Sequence, residues 1–141
     1  MYRITLFLLA SVTFTALAQI PTANLPLNIQ QLRQLVEKNP IEKQTAVLSQ
    51  TLQSVVARIQ ALKSQEPNNP ELVDLIELRI LVSPIAVLVK KSATITTENC
   101  LQAQHEIEYM ENFAEQEQRN SSDGTEAVAL LKLFCSKIDK K

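Results

Sequence analysis

The sequence predicts an all-α protein, a small bundle of four or five helices that ends in an antiparallel helical hairpin. Three observations carry the prediction. The chain has one glycine, Gly124, and no tryptophan, whereas sheet proteins use glycine freely in hairpins and bulges. It is rich in Leu, Gln, Glu, Lys and Ala, which are good helix formers. Its apolar residues recur at steps of three and four.

The N-terminus reads as a cleavable signal peptide over residues 1–18. Met1-Tyr2-Arg3 supplies the positive charge, Ile4 to Phe14 an apolar stretch, and Ala16-Leu17-Ala18 the small–x–small pattern of a cleavage site. The apolar run falls short of the roughly 20 residues that cross a bilayer, and Pro21 and Pro26 break any continuation. Residues 19–26 then form an extended lead-in, and residues 27–141 a single helical domain. The reading implies a secreted or periplasmic protein with no stable membrane anchor after cleavage.

The first helix is predicted from about Leu27 to Lys38, with Ile29, Leu32, Leu35 and Val36 at helical spacing. Asn39-Pro40 ends it, because the residue before proline avoids the helical region, and Pro40 opens the next helix as its first residue. The second helix carries a heptad seam, Ile41, Thr45, Leu48, Leu52, Val55, Ile59 and Leu62. Such a seam suits an outer helix of the bundle, or a homotypic interface. Glu66-Pro67-Asn68-Asn69-Pro70 is a turn.

The third helix opens near Pro70. From Leu72 to Val89 it is apolar almost all round, which places it at the centre of the bundle. Ser83-Pro84 is either a kink in one helix or a restart with Ser83 as N-cap. Ser92 to Thr97 reads as a connector. The fourth helix is expected from about Glu98 to Arg119, with Cys100, Ala103, Ile107, Met110 and Ala114 as its seam. Asn120 to Gly124 reads as a loop, in which Asp123 and Glu126 have capping-box spacing. The last helix, from about Thr125 to Ile138, buries Ala127, Val128, Leu130, Leu131, Phe134, Cys135 and Ile138.

Two cysteines in an exported chain suggest one disulfide, Cys100–Cys135. It would staple the open end of the hairpin and contribute on the order of 3–4 kcal/mol. The predicted helix ends fit it poorly. Cys100 lies 19 residues from Arg119 but Cys135 only 11 from Gly124, an offset of about 12 Å at 1.5 Å per residue. Buried free thiols and an interchain bridge therefore stay open.

The chemistry-bearing residues are few. His105 is the only histidine. With Glu108, Asn112 and Glu115 it recurs along one helix side opposite the seam, a pattern read as a solvated acidic face before a cation site. Between Ser92 and Gln118 there is no Lys or Arg, so Glu108, Glu111 and Glu115 form a candidate acidic interaction face. Lys132, Lys137, Lys140 and Lys141 are expected to pack beside it and favour the hairpin register. No serine sits in a nucleophile elbow, and one glycine excludes a phosphate-binding loop. No catalytic, metal or cofactor site is therefore assigned, and the chain is expected not to be an enzyme. A formal charge of −1 lacks the basic excess of a nucleic-acid binder. Asn120-Ser121-Ser122 is a glycosylation sequon.

Two functions remain. The first is an exported interaction protein, an inhibitor, effector or adaptor that meets an unknown protein partner through a helix face, as monomer or homodimer. The second is a carrier of a hydrophobic ligand, in a pocket lined by Ile80, Ile85, Leu88, Phe113 and Phe134. A cavity of roughly 300 Å³ or more would suit the carrier, and a large apolar patch outside the core would suit the interaction protein.

Overall fold

The structure, a computed structural model, describes residues 24–91, 95–116 and 122–136. The predicted signal peptide, most of the predicted lead-in, Asn120 of the predicted sequon, and Lys137, Ile138, Lys140 and Lys141 lie outside them. Among the described residues there are five helices: α1 (Ile29–Glu37), α2 (Ile41–Gln65), α3 (Pro70–Lys91), α4 (Thr97–Gln116) and α5 (Ser122–Cys135). The fold is the expected all-α bundle. α4 and α5 pack as a C-terminal hairpin, α2 packs on α3, and α3 on α4. α1 packs against α5 as well as α2, so the first and last helices close the ring. α3 touches all four other helices.

Local chemistry sets each boundary. Asn28 caps α1: its Oδ1 accepts from the Gln31 N–H at 2.9 Å, and Gln31 Oε1 accepts from the Leu27 N–H at 2.9 Å. Ahead of the cap, Leu25 is buried with the core, so the end of the lead-in is part of the fold. The Asn39 side chain donates to the Leu35 carbonyl and stops the helix. Pro40 is the N-cap of α2, one residue outside its predicted place. Asn69 accepts from the Glu71 N–H at the start of α3, and Thr96 from the Asn99 N–H at the start of α4. Of the two readings of Ser83-Pro84, the uninterrupted helix holds: Pro84 lies inside α3.

The seam of α2 departs from the heptad. Ile41 and Thr45 are exposed, and the buried stripe is Gln44, Leu48, Thr51, Val55, Ile59 and Leu62. A straight helix repeats every 3.6 residues, so a strict heptad drifts off its buried face by about 20° per repeat. Drift accumulates toward the N-terminus, where Gln44 turns inward and donates to the Asn39 carbonyl at 3.2 Å. Thr51 satisfies its buried hydroxyl on the Val47 carbonyl at 2.7 Å.

The expected loop through Gly124 is also corrected. α5 begins at Ser122, so Asp123, Gly124 and Thr125 lie in its first turns. Asp123 is helical rather than a cap, and Glu126 bonds Arg33 of α1.

Arg33 bridges Glu37 and Glu126, and Arg58 forks onto Glu71 at 3.1 and 3.2 Å, tying α1 to α5 and α2 to α3. The hydrogen bonds that the guanidinium groups donate to these carboxylates, to Glu126 and Glu37 from Arg33 and to Glu71 from Arg58, raise both guanidinium pKa values further.

Candidate functional site

Helix geometry forces α3 to show water one side of an almost wholly apolar sequence. Its buried face is Leu72, Leu75, Leu78, Val82, Ile85 and Leu88. Val73, Ile80 and Val87, seven residues apart, form an exposed ridge on the other side. α4 does the same. Ala103 and Ile107 are buried, while Leu101 and Tyr109 are 54% and 74% exposed. Core burial spends one face of each helix and leaves these side chains outside.

Where α3 and α4 meet, three of these exposed residues, Ile80, Leu101 and Tyr109, line an open groove of about 930 Å³. The α3 wall is Ile80, Ser83 and Pro84. Across it α4 contributes Leu101, Tyr109 and Met110 as apolar surface. Glu98, Gln102, His105 and Glu106 supply its polar groups. No Lys or Arg is among the lining residues. A second, smaller depression of about 470 Å³ lies between α2 and α3, with Leu48, Leu52, Val56 and Val89 in its wall.

The two cysteines come together. Cys100 and Cys135 stand at disulfide-bonding distance, with Cα atoms 6.1 Å apart. The offset expected from the sequence shrinks because α5 starts at Ser122 rather than after Gly124, which puts Cys135 13 residues from the start of its helix instead of 11. The bond holds the first turn of α4, and with it the Glu98–Leu101 end of the groove.

The predicted ligand-pocket residues are separated. Ile85, Leu88 and Phe134 are buried in the core, Ile80 lies 56% exposed in the groove, and the Phe113 side chain is outside the described set. The predicted acidic face divides too. Glu108 is half-exposed, accepts from Gln104 at 2.8 Å and lies 3.6 Å from His105. The carboxylate of Glu111 instead turns toward α5, against Gly124. The Glu115 side chain is not described. Lys132 is exposed and makes no ion pair with α4 among the described residues.

The groove carboxylates are therefore Glu98 and Glu106, with neither named among the acidic-face residues of the sequence reading. A usable signal was present: Leu101, His105 and Tyr109 recur every fourth residue opposite the buried Ala103 and Ile107. Among the described residues no three His, Cys, Asp or Glu side chains gather as a metal site, and no helix is long and apolar enough to cross a membrane. No protein-family model, curated protein or solved structure matches the chain.

Proposed function

We propose that this protein is an exported, non-enzymatic interaction module that receives a partner in the groove between α3 and α4. The observation that carries the reading is the placement of Ile80, Leu101 and Tyr109, all more than half exposed, along one groove rather than scattered. Scattered apolar residues are ordinary surface, whereas a contiguous patch rimmed by polar groups marks an interaction site. The disulfide suits the oxidising compartment that the N-terminal stretch implies.

A carrier of hydrophobic ligands is the second reading, supported by the apolar walls of both depressions. It is the weaker one. Ligand sites bury most of their ligand in a concave pocket, whereas Ile85, Leu88 and Phe134, three of the five residues expected to line one, are buried in the core.

Photocrosslinking in the native exported fraction tests the choice. A photoreactive side chain at Gln102, in the groove, is expected to capture a discrete protein that the same probe at the exposed Gln50 on α2 does not. Capture that is equal from both positions, or stoichiometric lipid in the purified protein, sinks the interaction reading.

A further inference from the structure

The groove's dimensions and charge specify more than a generic partner. We infer that its occupant is a basic amphipathic helix, with an apolar ridge against α3 and α4 and Lys or Arg on the flanks; this rests on the interaction reading above. The α4 wall runs from Glu98 to Met110, about 18 Å at 1.5 Å per residue, which accommodates roughly three helical turns. Ile80, Pro84, Leu101, Tyr109 and Met110 supply the apolar surface that a ridge at i, i+3, i+4 and i+7 would cover.

Charge decides between partners. Elsewhere arginine neutralises three acids, Glu37 and Glu126 on Arg33 and Glu71 on Arg58. Glu98 and Glu106 have no ion pair among the described residues; Glu106 accepts only a long 3.4 Å bond from Gln102. No Lys or Arg occurs from Ser92 to Gln118, so the α4 wall carries no compensating cation. The groove thus presents acceptors and negative charge around an apolar centre, and a complementary partner brings donors and positive charge.

The same charges disfavour an anionic membrane or a nucleic acid, which would set phosphates against Glu98 and Glu106. A second copy is left to the test, because the exposed side of α3 carries Arg79 and Lys90 as well as Asp74 and Glu77.

The test is selection from a displayed library of 14-residue helices with a fixed apolar ridge and flanks randomised over Lys, Glu, Gln and Ser. The purified exported protein is the bait, and anisotropy measures the selected peptides. Lys-flanked peptides are expected to dominate and to bind at least about tenfold tighter than their Glu-flanked counterparts. A Glu98→Lys, Glu106→Lys variant should reverse the preference, and Leu101→Glu should abolish binding of either kind. Peptides lost on Leu101→Glu but selected without regard to flank charge overturn the basic occupant and leave the interaction reading standing. No peptide dependent on Leu101 overturns both, and self-association of the bait that is lost on Leu101→Glu replaces the basic helix with a second copy.

Discussion

The carboxylate of Glu111 on α4 occupies the space where a side chain would begin at Gly124 on α5; a Cβ there would lie 2.7 Å from Oε1 and closer still to the other carboxylate atoms. The only glycine in the chain is thus a helix–helix contact rather than a turn residue, and its missing side chain lets an acid approach the first turn of α5. That is where the free N–H groups and the helix dipole favour negative charge, by about 0.3–1 kcal/mol.

Two effects therefore oppose each other in Gly124→Ala. Alanine gains about 1 kcal/mol of helix propensity, but it expels the Glu111 carboxylate. The net change in the native background is expected to be near zero. In a Glu111→Ala background the same substitution should stabilise by about 1 kcal/mol. Urea unfolding of the four proteins followed by circular dichroism measures the coupling, and equal effects in both backgrounds would show that the contact has no energetic role.

Cys100 and Cys135 are 35 residues apart in sequence. Constraining the unfolded chain over such a loop is worth about 4 kcal/mol in the chain-entropy treatment, a large share of the 5–15 kcal/mol typical of a domain. Cys100→Ser and Cys135→Ser should each lower stability by roughly that amount, and the double variant should be no worse than either single one. Denaturant midpoints with and without reductant check this, since reductant should affect the native protein alone. Additive losses from the two substitutions would mean that the thiols act separately.

Much of this architecture was legible in the sequence, and the failures have identifiable causes. Asn39-Pro40 and the Pro67–Pro70 turn placed two boundaries because proline and asparagine act locally. The cysteine pair was found by counting, although its geometry came right only when α5 proved to begin at Ser122. Gly124 was misplaced because local preference for a turn lost to a tertiary contact with Glu111. The inward turn of Gln44 depends on the accumulated drift of a long helix, which no single residue announces. The seating of α1 against α5 is a long-range contact with no local signal. The all-round apolar composition of α3 correctly implied a helix touched by every other one, yet it hid which third of its surface stays wet. That third makes the groove.

The end caps offer a local test. Asn28 and Thr96 each satisfy a free N–H at a helix start, at 2.9 and 3.1 Å. Alanine at either position should cost about 1 kcal/mol, read as a shift of the urea midpoint without change in its slope. Glycine at the same positions should cost only a few tenths. Equal losses for alanine and glycine would assign the effect to something other than capping.

Thr51 is fully buried, yet its hydroxyl bonds within its own helix, to the Val47 carbonyl. That carbonyl also receives the Thr51 N–H of the α-helical pattern, so removing the hydroxyl strands no polar group. Thr51→Val should be neutral within about 0.5 kcal/mol or stabilising, whereas Thr51→Ala should cost about 1 kcal/mol through the lost methyl group. A marked loss with valine would require a second partner for the hydroxyl.

Ile80 and Ile85 are chemically identical and five residues apart on α3, but one is 56% exposed in the groove and the other fully buried. They therefore separate binding from folding. Ile85→Ala leaves a cavity in the core and should cost about 2–5 kcal/mol. Ile80→Ala removes surface already in water, so its effect on stability should lie within about 0.5 kcal/mol. Affinity should rank them the other way: the Ile80 variant should lose peptide binding while its thermal midpoint holds, and whatever fraction of the Ile85 variant stays folded should bind normally. If Ile80→Ala destabilised the fold as Ile85→Ala does, its side chain would belong to the core and the groove would lose its α3 wall.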